Sequence, residues 1–279
     1  MSNTRNEPLQ PEDYEEPRCL LRGAPGGQAR IQPIPRQRII EKLDEYTGRR
    51  DYAGAEKLLL YWMEEAIQGR DEQGRLMLLN EMIGHYRKTE CREKALARAD
   101  EALALLKALE LEDSITGGTT FLNAATAFSA FGENERALDL FRRAQSAYEG
   151  NAHTGPERLG GLYNNMALAC AALGQYDDAF RLFDQAMEQM EKTEDGKLEQ
   201  AITCLNMADA AEAQYGAGAA SRIRELLDRA CVLLRDPAAP RDGYYAFVCE
   251  KCAPGFEHHG MPEEADRLRR TAEEIYERA

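Results

Sequence analysis

The chain has 279 residues, 43% of them hydrophobic, with 35 basic and 49 acidic side chains and a formal net charge of −14. That apolar content supports a sizeable core without metal or disulfide staples, and the negative charge has the wrong sign for contact with DNA or RNA phosphates. The N-terminal stretch MSNTRNEPLQPEDYEEP lacks the apolar centre of a signal peptide and no run is long and apolar enough to span a bilayer, so a cytoplasmic chain with neither a nucleic-acid nor a membrane partner is expected.

Residues 1 to 35 hold six of the 11 prolines together with GAPGGQ and show no helical period, so a disordered tail is expected over 1–35. From residue 36 to the last residue, 279, the texture is one of paired amphipathic helices with short polar joints, without a second boundary and without the alternation of a sheet. The expected fold class is all-α. In chain order, the first pair carries Ile39, Tyr46, Tyr52, Ala55, Leu59 and Trp62, and the second Leu79, Met82, Tyr86, Ala95 and Ala102. The third, fourth and fifth share N-x-A-x-A at Asn123, Asn165 and Asn206, with offsets of 42 and 41 residues. FGENERALDLFRRA (131 to 144) overlays LGQYDDAFRLFDQA (173 to 186), which aligns Gly132 with Gly174, Phe141 with Phe183 and Ala144 with Ala186. The sixth pair carries Cys249, Cys252, Phe256, Gly260, Ala265 and Ala272, and Pro254 is expected to bend its first helix or remove one of its hydrogen bonds. QYGAGAAS adds residues to the fifth pair and blurs its register after Tyr215.

In the fourth copy Tyr163, Ala167, Gly174, Ala179, Phe183 and Ala186 stand at the places that define the tetratricopeptide repeat, and the pattern resembles that family from about residue 36 to 279. The resemblance implies a right-handed α-α superhelix of about six helix pairs, a solenoid. Lys42 and Arg50 depart from it, standing where an apolar residue and the turn glycine belong. Turn positions at Arg50, Glu90, Gly132, Gly174, Tyr215 and Gly260 are 40 to 45 residues apart, longer than the usual repeat of about 34, as in the extended repeats of kinesin light chain and of bacterial peptide-sensing regulators.

A helical wheel puts Phe121, Ala124, Ala125 and Phe128, and likewise Tyr163, Met166, Ala167 and Cys170, on one buried arc. The opposite face, which the resemblance implies is concave, carries Asn123, Thr126, Asn165, Leu168, Asn206 and Asp209, with Ile202 beside them and almost no charge. Carboxamides suit an extended peptide because each pairs with both the N–H and the C=O of a backbone amide. Leu168, Ile202, Asp209 and the groove ends, Glu41 and Glu81 early and Lys251 and His258 late, are then the source of selectivity. The same asparagines also suit a purely structural role between neighbouring helices, and Asn164 is expected to be lateral, an interhelix bond or solvated.

A non-catalytic scaffold for a protein or peptide segment is the leading expectation, with no cofactor. No nucleophile, phosphate-loop or zinc-protease motif is present to suggest an enzyme. Two alternatives stand beside it. The tail segments EEPRCLL and RIQPIP are able to occupy the groove of the same molecule or of a neighbour, giving a self-regulated protein or a homo-oligomer. CEKC offers Cys249 and Cys252 to zinc or redox chemistry, although both fall on core positions, and the odd count of seven cysteines indicates reduced, hydrophobe-like thiols. A clamp for acidic chaperone tails is disfavoured, because Asn164, Leu168 and Phe247 stand where that clamp needs lysine, asparagine and lysine. Residues 1 to 35 show no DNA-binding or effector module, so any output is expected to pass through another protein.

Overall fold

The computed structural model describes residues 31–193 and 196–278, which form twelve α-helices and no strand among the described residues. The helices are α1 Arg36–Gly48, α2 Tyr52–Gln68, α3 Glu72–Lys88, α4 Arg92–Ala108, α5 Ile115–Ala130 and α6 Asn134–Glu149. They continue as α7 Pro156–Ala172, α8 Tyr176–Met190, α9 Lys197–Tyr215, α10 Ala220–Leu234, α11 Gly243–His258 and α12 Pro262–Tyr276. Apolar spacing drives each one. In α6, for example, Ala137, Phe141, Ala144 and Tyr148 recur every three to four residues and all are buried. Four starts are set by side-chain caps: Asp51, Asp71, Ser114 and Asp242 each accept the amide N–H three residues on, worth about 1 kcal/mol apiece.

Seven turns, those after α1, α2, α3, α4, α5, α7 and α11, share one geometry. A left-handed residue follows the helix, and the next amide bonds back five residues, as from Glu133 to Phe128, Gln175 to Cys170 and Met261 to Phe256. Glycine holds the left-handed place at Gly132, Gly174, Gly216 and Gly260, whereas Arg50, Arg70, Glu90 and Glu110 adopt it with φ of 55° to 56°. The fifth turn therefore pivots on Gly216 and not on Tyr215: the extra residues form a 3-10 turn, Gly216–Ala219, ahead of α10.

Consecutive helices pair as α1 with α2 through α11 with α12, and the first helix of a pair also packs on the first helix of the next, α3 on α5, α5 on α7, α7 on α9 and α9 on α11. Contact along that side curls the array into a right-handed superhelix with the first helices on the inside. One core runs from Ile34 through α8 and a second from Met187 to Ala272, the two meeting where α8 packs on α9. Curvature brings the ends together. Arg50 pairs with Glu250 and lies 4.8 Å from the Tyr276 ring centroid, and the Lys88 ammonium lies 5.7 Å from the Phe247 ring.

Helix α11 is continuous through Pro254, which is exposed. One expectation changes here. The end of the stretch assigned to the tail is part of the fold: the Gln32 amide donates to Gly69 O at 2.9 Å, Ile34 is buried, and its amide donates to Asp71 Oδ2 at 3.0 Å. RIQPIP is thus fixed across the α2–α3 turn from Ile31 onward, while EEPRCLL and the rest of residues 1–30 lie outside the described residues.

Candidate functional site

The inner wall is stitched by two copies of one polar device. Asn80 on α3 donates to its own helix at Leu76 O (2.9 Å) and to Thr120 Oγ1 (3.0 Å), and its Oδ1 accepts from Asn123 Nδ2 (2.9 Å). Two repeats later the buried Asn164 on α7 accepts from Thr203 Oγ1 (3.2 Å) and Asn206 Nδ2 (2.9 Å) on α9. Each device joins one first helix to the next. Between α5 and α7 the matching places hold Leu122 and Leu162, so Asn165 has no asparagine opposite and its Nδ2 turns to Gly161 O at 2.9 Å in its own helix.

The three asparagines aligned from the sequence are therefore not equivalent. Asn123 and Asn206 each spend one N–H on helix stacking, and their carbonyl oxygen and second N–H carry no bond among the described residues. Asn165 faces an open cavity of about 550 Å³ bordered by Glu157, Gly161, Glu199, Tyr244 and Lys251. A second cavity of about 460 Å³ lies beside Asn123, bordered by Arg36, Asn80, Glu81, Thr119 and Arg158. Half-buried Glu81 titrates above the ordinary carboxylate range because it is desolvated, with the Asp44 charge adding to the effect.

The other expected groove residues separate. Thr126 is half-buried and its hydroxyl donates to Leu122 O at 2.7 Å, Leu168 packs along the edge of the core, and Lys251 is exposed at the cavity rim. Ile202 leaves the groove list. It is 3% exposed and sits in the core formed where α11 packs on α9, an approach that a helical wheel does not report. Asp209 and His258 are already partnered, Asp209 with His259 at 2.8 Å and His258 with Glu212 at 2.6 Å. Cys249 and Cys252 are buried among α9, α11 and α12. Desolvation raises both thiols, that of Cys252 to about 12, which disfavours the thiolate that metal or redox chemistry needs.

Asn80 and Tyr244 were not singled out from the sequence, and Phe247 entered only as a mismatch to a lysine clamp. Asn80 was hidden because its repeat lacks the N-x-A-x-A frame, although it stands one place after Leu79 as Asn164 stands one place after Tyr163. Tyr244 and Phe247 stack with ring centroids 6.2 Å apart, and both stay substantially exposed on the inner side of α11. The Tyr244 hydroxyl donates to the Glu199 carboxylate, and burial and then that charge lift its pKa far above the tyrosine range. Exposed aromatics on a first helix were the available signal.

The comparisons agree with this architecture. The family model described as tetratricopeptide repeat matches residues 158–231. A 96-residue stretch is 36% identical to the photosystem I assembly protein Ycf3 of Parasynechococcus marenigrum (strain WH8102), covering 34% of this chain and 51% of that protein, so the chain spans about half the length of this curated relative. Among solved structures, NprR in complex with its cognate peptide NprX superposes with a TM-score of 0.58 at 14% identity, over 86% of this chain and 68% of that one. A kinesin-light-chain-type protein of Podosopora anserina, with nearly identical TPR-like repeats, gives 0.50 at 17% identity over 73% and 96%. At such identities the likeness concerns the fold. Residues 158–231 match the tetratricopeptide-repeat model, and the paired helices and recurring left-handed turns make the described chain a TPR-like solenoid, an architecture that serves in general as a protein-interaction scaffold.

Proposed function

We propose that the protein is a non-catalytic scaffold that holds an extended peptide segment against its inner wall, centred on the unlocked stretch between α5 and α9. The observation that carries this reading is Asn165: alone among the three aligned asparagines it makes no bond to a neighbouring helix, and it borders a cavity. Its carboxamide, with the free carbonyl oxygens of Asn123 and Asn206, presents a line of backbone-reading groups. Gly161 leaves space for the guest chain. Thr126 and Leu168 flank the line, and Tyr244 with Phe247 offers a flat apolar surface for one guest side chain.

Charge sets a direction. Desolvated Glu81 gains by meeting a basic group, and exposed Lys251 favours a carboxylate at the other end. The peptide complex of NprR, a protein of the same fold, supports the reading at the level of fold. The tail-in-groove alternative has less support, because its described portion lies across the α2–α3 turn.

Selection of a random peptide library on the immobilised protein tests the proposal. Wild type is expected to enrich a consensus that carries a basic residue at one end, and Lys251→Glu to shift the preference at the other. Absence of a consensus, or the same consensus on a variant with Asn165→Arg filling the cavity, overturns it.

A further inference from the structure

At the C-terminal end of the inner wall, α9 and α11 bring Glu212, His258 and His259 to one point, with Asp209 hydrogen-bonded to His259 beside them. Asp209 and Glu212 stand three residues apart on one face of α9, His258 closes α11 and His259 follows it. His258 Nε2 is 2.6 Å from Glu212 Oε2, and His259 Nε2 is 2.8 Å from Asp209 Oδ1. The imidazole rings are 4.8 Å apart at their centroids, and one donor atom each from Glu212, His258 and His259 fit within 4.8 Å of one another.

We propose that Asp209, Glu212, His258 and His259 form a binding site for a divalent transition-metal ion of the zinc type, bridging the fifth and sixth repeats. A surface His–carboxylate pair needs one partner of each kind, whereas here two such pairs converge. Two imidazoles and the Glu212 carboxylate supply three zinc donors, and exposed Asp209, already bonded to His259, reaches the fourth position by a rotamer change. Donors about 2.0–2.1 Å from a tetrahedral ion lie about 3.4 Å from each other. The two hydrogen-bonded distances therefore open by less than about 1 Å as the ion displaces the shared protons. Asp209, Glu212 and His258 are exposed enough to adjust by rotamer, while the His259 side chain, 3% exposed, is a fixed donor. Magnesium and calcium are disfavoured, since each requires about six or more oxygen ligands and only two carboxylates are at hand. The inference stands apart from the peptide reading, because its observable is the metal alone.

Protons compete with the metal for imidazole and carboxylate donors, so binding weakens on acidification.

Calorimetric titration of the full, reduced chain with zinc chloride tests the site, beside His258→Gln and Glu212→Gln, both at exposed positions. The expected result is one equivalent of zinc on wild type, at least about tenfold weaker binding by each variant, no uptake of magnesium, and a zinc-dependent rise in melting temperature confined to wild type. Absence of saturable zinc binding overturns the proposal. Unchanged binding by both variants does the same, since it places the ion elsewhere, as on the exposed Cys91 thiol.

Discussion

Asn164 and Asn165 are neighbours in sequence with opposite duties. Asn164 is buried and its carbonyl oxygen holds the Asn206 amide of α9, so Asn164→Ala strands that amide, while the Thr203 hydroxyl keeps Glu199 O, and is expected to cost about 1–2 kcal/mol in chemical denaturation. Asn165→Ala loses one bond within its own helix and should change stability by less than about 0.5 kcal/mol. The repeat alignment located Asn165 on the inner face and left Asn164 lateral. A wheel assigns faces but not how closely the next helix approaches, and that approach buries Asn164. The left-handed turns hold a second residue-level effect. Glu90 and Glu110 occupy φ of 56° with a β-carbon that this region disfavours, so Glu90→Gly and Glu110→Gly are each expected to raise stability by roughly 0.5–1 kcal/mol, read as a higher urea midpoint at unchanged slope. Arg50 and Glu90 broke the glycine pattern in the sequence, yet hydrogen bonds from Asp51 to Tyr46 and from Cys91 to Tyr86 close the same turn without it.

At the scale of elements, α3 begins on a carboxylate that does two jobs. Asp71 caps its own helix through Gly74 and also receives the Ile34 amide and the Arg36 guanidinium, which fastens residues 31–35 over the α2–α3 turn. Burial opposes its ionisation, but the Gly74 and Ile34 amides and Arg36 outweigh that cost and hold the carboxyl below its ordinary range. A carboxyl lowered in the folded state contributes stability above its unfolded pKa, and that contribution disappears as pH falls through the folded value. Asp71→Ala is therefore expected to cost about 2–3 kcal/mol near neutral pH, with the gap to wild type closing below about pH 4, as melting temperatures across a pH series will show. The sequence placed the break between tail and fold at residue 36 because prolines hide helical periodicity. One long-range cap moves that boundary back, and nothing local to IQPIP announces it.

Over the whole molecule, six pairs complete enough of a turn for the first to touch the last. Self-similarity was sufficient to reveal the solenoid, since each repeat has to bury its face on the next, but it carries no measure of how tightly the turn winds. Closure depends on Arg50, which meets both Glu250 and Tyr276, and on Lys88 over Phe247. These contacts are exposed and mostly electrostatic, so Arg50→Glu, or salt well above 0.15 M, is expected to open the superhelix and enlarge the radius of gyration in small-angle scattering. An unchanged radius in both cases means that curvature is set by interhelix packing alone. Opening also widens the route to the inner wall, which ties the winding of the fold to access by a guest.

The most direct test of that inner wall is the affinity of a library-selected peptide for three proteins, measured by fluorescence anisotropy: wild type, Asn165→Ala, and Gln145→Ala on α6 as an outer-helix control. Loss of the carboxamide bonds is expected to weaken binding about three- to tenfold in Asn165→Ala, with wild-type affinity kept by Gln145→Ala and melting temperatures alike in all three. Equal affinity of wild type and Asn165→Ala, or a comparable loss in Gln145→Ala, would contradict a peptide seat on the inner wall.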